Sequence, residues 1–248
     1  MEMGKNLVII PTYNEKENIA SIIEAISKLK VAFDILIVDD NSPDKTGDIV
    51  EGLKEEYKNL YMIRREGKQG LGTAYLSGFK WAIENKYDII CEMDADFSHN
   101  PGDLVRLHEA CMEGADLAIG SRYVSGVNVV NWPLGRVLMS YMASIYVRFV
   151  TGMRVKDTTA GFKAYKRIVL ETIDLDKVRS KGYAFQIEMK FTAWKFKFRI
   201  KEIPIVFTDR KLGTSKMSGG IFNEALWGVL KMKFRSFVRD YSRPSREE

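Results

Sequence analysis

Residues 6–42 read NLVIIPTYNEKENIASIIEAISKLKVAFDILIVDDNS, and this stretch decides the fold. Asn6–Ile10 is a short apolar run closed by Pro11, which reads as a buried strand. Glu15–Leu29 carries isoleucine at positions 19, 22, 23 and 26, the three-and-four spacing of one helical face. Asp34–Val38 is a second buried strand, stopped by Asp39, Asp40, Asn41 and Ser42. Strand, helix and strand in this order predict a parallel pair joined by a helical crossover.

The alternation continues downstream. A helix is expected through Gly47–Tyr57, a strand at Leu60–Arg64, and a helix over Thr73–Asn85 after the glycine-bearing segment Gly67–Gly72. Asp88–Met93 reads as a strand ending in Asp94-Ala95-Asp96, Leu104–Met112 as a helix and Asp116–Gly120 as a strand. The order predicts an α/β fold, a mostly parallel sheet with helices on both faces. Ligands of such sheets bind beyond the carboxyl ends of the strands. Three polar clusters fall there: Pro11–Glu15, Asp39–Ser42 and Asp94–Asp96.

The second half is less regular. Pro133–Val150 is strongly apolar with Arg136 and Arg148 inside it; composition alone favours a core helix, and the other reading is an amphipathic helix lying at an interface with arginine at its edge. Lys156–Tyr165 reads as a loop entering a strand, Tyr183–Thr192 as a helix, Phe198–Val206 as a strand and Ile221–Asp240 as a basic amphipathic helix. Ser242–Glu248 reads as a frayed tail.

Composition narrows the function. The 248 residues carry 38 Lys+Arg and 33 Asp+Glu, a net charge of +5, with 46% hydrophobic residues, so the chain is globular rather than disordered. Cys91 and Cys111 are the two cysteines and His99 and His108 the two histidines, which excludes a disulfide framework and a four-cysteine or histidine-rich zinc site. Neither a signal peptide nor an apolar run long enough to span a bilayer is expected. Lys195–Arg246 holds 13 Lys/Arg against 4 Asp/Glu, or +9. That is either a solvated basic face or an attraction for phosphate-bearing partners.

Dinucleotide binding fails on the first turn, because Pro11-Thr-Tyr-Asn-Glu15 has no glycine to admit a pyrophosphate. The glycines at 67, 70 and 72 fit neither that fingerprint nor a P-loop, since Gln69 follows Lys68. Asp94 and Asp96, two residues apart at a strand end, suit a hard divalent cation that takes oxygen ligands. The same spacing also serves turns and helix caps, and the buried strand before it favours the site. Asp39-Asp40 suits ribose or base recognition, or ordinary turn chemistry; Glu15 reads either as an early-helix acid favoured by the helix dipole or, placed beside that pair, as completing a nucleoside pocket.

Pro11-Thr-Tyr-Asn-Glu15, Val38-Asp-Asp-Asn-Ser42, Gly70-Leu-Gly72 with Ala74 and Gly78, Met93-Asp-Ala-Asp96 and Gly120-Ser-Arg-Tyr123 occur in the order of the family 2 glycosyltransferases. Within them the chain most resembles the polyprenol-phosphate (dolichol-phosphate) mannose synthases, through Asp157-Thr-Thr-Ala-Gly-Phe162, Gly182-Tyr-Ala-Phe-Gln186 and Asp209-Arg-Lys-Leu-Gly-Thr-Ser-Lys216. The resemblance covers roughly residues 6–220 and implies a Rossmann-like GT-A fold. It implies one glycosyltransferase domain over 1–241: a nucleotide-sugar-binding half (6–123), an acceptor-binding half (124–220) and a basic helix (221–241), followed by a tail (242–248).

The resemblance also implies roles. Pro11, Tyr13, Glu15, Val38 and Asp40 would hold the base and ribose of GDP-mannose, with Asp94, Ala95 and Asp96 at its diphosphate. Asp94 and Asp96 would bind Mg²⁺ or Mn²⁺, and Ser98 stands where many members have glutamine, a weaker third contact. Arg122, Arg136 and Ser140 match positions that grip the acceptor phosphate, Arg122 thereby joining Asp94 and Asp96 as catalytic. Arg210 and Lys216 match a loop over the donor diphosphate. The partners are then GDP-mannose, a polyprenyl phosphate and the membrane surface, with or without a small anchoring subunit, and not nucleic acid, for which no reading motif is present. The expected location is cytoplasmic and peripheral to the membrane. A lipid monophosphate is largely ionised at pH 7, with a second pKa near about 6, so no strong base is needed. His99 and His108 are therefore expected at a helix start and on the surface. Other readings are the same chemistry with UDP-glucose or another nucleotide sugar, and a non-catalytic nucleotide-sugar-binding module.

Overall fold

The computed structural model describes residues 4–180, 182–210 and 221–242. Its first half follows the expected alternation: β1 (Asn6–Thr12), α1 (Ile19–Ser27), β2 (Asp34–Asp39), α2 (Thr46–Leu53), β3 (Leu60–Arg64), α3 (Leu71–Glu84), β4 (Ile89–Glu92), α4 (Asp103–Met112) and β5 (Leu117–Ser121). Then come β6 (Val129–Val130), α5 (Leu134–Thr151), β7 (Lys163–Lys166), α6 (Arg167–Thr172), a 3₁₀ turn (Leu175–Lys177), α7 (Gly182–Lys195), β8 (Ile200–Pro204), β9 (Phe207–Thr208) and α8 (Ile221–Arg235).

Seven strands form one sheet in the order β3-β2-β1-β4-β7-β5-β8, and β6 pairs with β9 in a small separate ribbon. All pairings in the main sheet are parallel except those of β7, which runs antiparallel to both β4 and β5. The chain reaches β7 from α5 through the loop 152–162, and because β7 is antiparallel to both neighbours the handed rule for parallel crossovers does not apply to it.

Side chains alternate across each strand, and the sheet therefore builds two cores. Leu7, Ile9, Leu36, Val38 and Ile90 pack with Tyr75, Phe79 and Phe185 on one face. Val8, Ile10, Ile35, Ile37 and Cys91 pack with Ile19, Ile22, Ile23, Ile26 and Leu104 on the other. Helix α3 lies close on β1 at Gly78, where a Cβ would stand 2.7 Å from Ile9 Cγ2.

Helix α1 starts at Ile19 rather than Glu15. The Glu15 carbonyl accepts from the N–H groups of Asn18 and Ile19, and Asn14 takes a left-handed φ of 56°. Residues 13–18 thus turn before the helix begins, which leaves Glu15 at the sheet's edge. The basic helix ends at Arg235, short of Asp240, and α6 and the 3₁₀ turn had no separate signal in the sequence. Of the expected tail, 243–248 lies outside the described residues.

The core-helix reading of Pro133–Val150 is overturned. Only Ser144, Val147 and Thr151 of α5 are buried. Leu134, Leu138, Met142 and Phe149 are exposed, Phe149 to 89%.

Candidate active site

The carboxyl ends of β1, β2 and β4 bring Pro11–Glu15, Asp39–Ser42 and Asp94–Asp96 to one edge of the sheet, as expected of parallel strands. Thr12 Oγ1 and Ser42 Oγ donate to Asp39 Oδ1 at 2.8 and 2.5 Å, and the Asn14 N–H donates to Ser42 Oγ at 3.0 Å. The Glu15 N–H donates to Thr46 Oγ1 at 2.9 Å. These bonds lock the first turn to the second. Val38 is fully buried beneath it, and Lys68 Nζ stands 4.7 Å from the ring centre of Tyr13. Asp40 is buried and holds the glycine segment in place. Its carboxylate pairs with Arg65 Nε at 2.7 Å and accepts the N–H groups of Gln69 and Gly70 at 3.1 and 3.4 Å.

Asp94 is half-buried, with 39% of its side chain open. Desolvation by the surrounding protein, followed by the charges of Asp96 and Glu92, raises its pKa to about 7, and Arg210 opposes the shift. Glu15 also contributes to the rise, which places the first turn within electrostatic reach of the acidic pair. Ala95, between the two, is buried. Asp96 is buried too, with Oδ1 accepting the Ser98 N–H at 3.0 Å and Oδ2 meeting Arg210 Nη2 at 2.9 Å. Ser98 is itself buried, and its carbonyl accepts from the Thr208 N–H, tying the acidic loop to β9.

Two carboxylates at one strand end, one already covered by a guanidinium, make a donor set that fits a hard divalent cation. Among the described residues no cluster of three or more His, Cys, Asp or Glu supplies a complete shell. Substrate oxygens would have to finish it, as is usual for Mg²⁺ beside phosphates.

His99 departs from expectation. It is 3% exposed and stacked on Phe162 with ring centres 4.8 Å apart, and its Nδ1 stands 3.9 Å from Asp94 Oδ2. Burial dominates its titration and lowers the pKa to about 4, so the ring is neutral at pH 7. His108 is half-buried, edge-on to Phe33.

Across the site, Arg122 follows the end of β5 directly and is buried and tied to Asp157. The Arg122 N–H, Nε and Nη2 donate to that carboxylate at 2.9, 2.8 and 2.7 Å, and Nη2 also reaches Thr159 Oγ1 at 2.7 Å. Burial alone would raise the pKa of Asp157, but the charge and hydrogen bonds of Arg122 outweigh it and hold the carboxyl below its usual range. The Trp132 ring lies 5.5 Å from the guanidinium of Arg122 and 4.1 Å from that of Arg136, so the two arginines flank one indole. Its Nε1–H is buried and has no acceptor among the described residues. Arg136 pairs with Asp209 at 3.0 Å, and Ser140 accepts from the Tyr123 hydroxyl at 2.7 Å. The ring of Phe207 touches His99, Arg122 and Trp132, so the acidic and arginine groups share a wall. Lys216 lies outside the described residues.

The sequence reading missed a buried network under the acidic loop. Lys163 pairs with Glu92 at 3.1 Å and donates to Gln186 Oε1, and Gln186 Nε2 donates to Glu92 Oε2 at 2.9 Å. Lys190, also fully buried, donates to the Ala160 carbonyl at 2.6 Å. Gln186 and Asp157 were visible only as members of motifs, and Lys163 and Lys190 carried no signal.

Over residues 7–174 the sequence matches the profile of the family described as glycosyl transferase family 2. The chain belongs to that family. Among curated members it is 47% identical over 232 residues to the polyprenol monophosphomannose synthase of Mycolicibacterium smegmatis, covering 93% of this chain and 88% of that one. It is 46% identical over 225 residues to the undecaprenyl-phosphate mannosyltransferase of Micrococcus luteus, covering 91% and 92%. Solved structures share the fold of this family 2 chain at lower identity. Glucosyl-3-phosphoglycerate synthase from Mycobacterium tuberculosis, in complex with Mn²⁺, UDP and glucosyl-3-phosphoglycerate, superposes with a TM-score of 0.69 at 18% identity, covering 93% of this chain and 80% of that chain. A mannosyltransferase from Pyrobaculum calidifontis, in complex with GDP-mannose and Mn²⁺, gives 0.61 at 17%, covering 98% and 67%.

Proposed function

We propose that the chain transfers mannose from GDP-mannose to a polyprenyl phosphate, inverting the sugar, at a membrane surface. One observation carries the reading: an acidic pair suited to a cation and two arginines suited to a phosphate share a wall, and the arginine side lies at the start of an exposed apolar helix. Donor chemistry needs the first group and a lipid phosphate needs the second. The named relatives supply the sugar and the lipid class.

In this reading Asp94 and Asp96 hold Mg²⁺ or Mn²⁺, which when bound neutralises charge on the leaving diphosphate. Tyr13, Glu15, Val38 and the backbone around Asp40 form the nucleoside end, and Asp40 itself fixes the glycine segment as its wall. Arg210 and Lys216 add positive charge beside the diphosphate, where it is needed as the bond breaks. Arg122, held rigid by Asp157, and Arg136 orient the acceptor phosphate, with Ser140 and the Trp132 N–H as neutral donors. An oxygen of that phosphate forms the bond to the anomeric carbon while the bond to the diphosphate breaks and its electron pair leaves with GDP. Attack from the face opposite the leaving group converts an α-linked donor into a β-linked product. No proton has to be removed from a phosphate already ionised near neutral pH, so a neutral His99 is consistent with the reaction.

No described helix is long and apolar enough to cross a membrane. The exposed faces of α5 (Leu134, Leu138, Met142, Phe149) and α8 (Trp227, Phe234) instead suit an interfacial position. The two helices are joined by the Tyr146 hydroxyl donating to the Leu226 carbonyl at 3.1 Å, so they present their apolar groups together. Lys231, Arg235 and Arg239 interleave with the α8 aromatics and suit anionic headgroups at roughly 1 kcal/mol each.

The test is direct. Labelled GDP-mannose, Mg²⁺ and a short polyprenyl phosphate should give label in the organic phase, as an acid-labile β-linked product. Label that stays aqueous with every common nucleotide sugar would remove the enzymatic reading.

A further inference from the structure

Asp209 and Arg210 follow β9 directly, are opposite in charge, and each pairs with a site residue of the other sign. Arg210 Nη2 lies 2.9 Å from Asp96 Oδ2, and Asp209 Oδ1 accepts from Arg136 Nη1 at 3.0 Å. The same Asp209 oxygen accepts the backbone N–H of Arg210 at 3.2 Å. One carboxylate oxygen therefore joins the arginine on α5 to the backbone of the residue that covers Asp96. The chain just before is pinned, because the Thr208 N–H donates to Ser98 and the Asp209 N–H to Val130.

We propose that Asp209 is a placeholder for the acceptor phosphate on Arg136. Through its shared oxygen it couples cation–nucleotide binding at Asp96 to phosphate binding at Arg136. The inference goes beyond the proposed function but rests on it for Arg136 as an acceptor group. Arg210 and a divalent cation compete for Asp96, so Arg210 must leave the carboxylate when the donor site fills. When the Arg210 side chain lets go of Asp96, one of the contacts that hold segment 209–210 over the site is lost, and the Asp209 carboxylate keeps a weaker hold on its place. A phosphate carries up to two charges and three acceptor oxygens against one charge and two oxygens, and so displaces the carboxylate from Arg136 more readily. The coupling must run both ways: a phosphate on Arg136 evicts Asp209 and loosens Arg210 on Asp96. Asp209 is a positioning residue here, since it touches neither substrate once both are bound.

Isothermal titration of Mn²⁺ with GDP, and of citronellyl phosphate, into wild type, Asp209→Asn and Arg136→Ala tests this without turnover. In wild type each ligand should tighten the other by roughly tenfold, within the usual range of site coupling. Asp209→Asn keeps the side-chain shape and removes the charge. It should bind citronellyl phosphate more tightly than wild type in the absence of Mn²⁺ and GDP, and its coupling should fall to about one. An Asp209→Asn protein with wild-type phosphate affinity and wild-type coupling overturns the inference while Arg136→Ala still weakens phosphate binding. Undiminished phosphate affinity in Arg136→Ala overturns the acceptor assignment beneath it, and the inference with it.

Discussion

Replacing Asp157 with asparagine isolates one charge in the arginine half of the site. The carboxylate is fully buried and takes three hydrogen bonds from Arg122, which is itself 7% exposed. An asparagine of the same shape offers one carbonyl oxygen where two carboxylate oxygens were used, and it removes the negative charge that Asp157 sets against a buried guanidinium. Removing one partner of a buried pair costs about 3–5 kcal/mol. In a chain of this size each kcal/mol moves the melting temperature by about 2–4 °C, so a loss of roughly 6–20 °C is expected. The effect has a pH signature. The folded pKa of Asp157 lies below its ordinary 3.8, so its ionic contribution is complete above that value and is lost as pH falls through the lower folded one. Urea unfolding at pH 7 and near pH 3 should therefore show a wide gap between wild type and Asp157→Asn that narrows in acid. A variant that melts within a degree of wild type would refute the reasoning, as would a gap that is the same at both pH values.

Asp96→Ala should abolish turnover and greatly weaken Mn²⁺-dependent GDP binding while far-UV circular dichroism stays unchanged; full activity of the wild type in EDTA would contradict the metal assignment. Lys163→Met leaves Glu92 buried and uncompensated, so thermal unfolding should reveal a loss of about 3–5 kcal/mol. Adding Glu92→Gln should recover much of that loss, and an additive double variant would argue against the pair. Phe149→Glu with Met142→Glu should lower recovery of the protein on anionic vesicles in flotation without changing GDP affinity, whereas unchanged flotation would place the membrane contact elsewhere.

Much of the fold was legible because burial leaves a periodic trace. Ile19, Ile22, Ile23 and Ile26 face one core, and the runs at Leu7–Ile10 and Ile35–Val38 are buried on both sides. Such patterns depend on side chains a few positions apart, and so they survive in one dimension. Asp94 and Asp96 were placed at a strand end for the same local reason: they follow a buried run without interruption. The direction of β7 was not legible, since Lys163–Lys166 reads alike whether it enters the sheet parallel or antiparallel. Composition could not decide the exposure of α5, because a mixed apolar stretch looks the same whether protein or solvent lies against it.

The partners of the site's charges belong to tertiary structure alone. Arg122 meets Asp157 across 35 positions, Arg136 meets Asp209 across 73 and Gln186 meets Glu92 across 94. No spacing rule links residues so far apart. An ion pair forms only where the fold happens to bring two strand ends, a helix and a loop within about 3 Å. The sequence by itself determined a parallel α/β sheet, an acidic pair at its edge and a resemblance to family 2. Only the folded chain decided that Arg122 is clamped from below, that a buried lysine lies under the acidic loop, and that Asp209 and Arg210 bridge the two halves of the site. The physical reason is range: hydrophobic periodicity is written between neighbours, whereas charge pairing is written between residues that meet only after the sheet has formed.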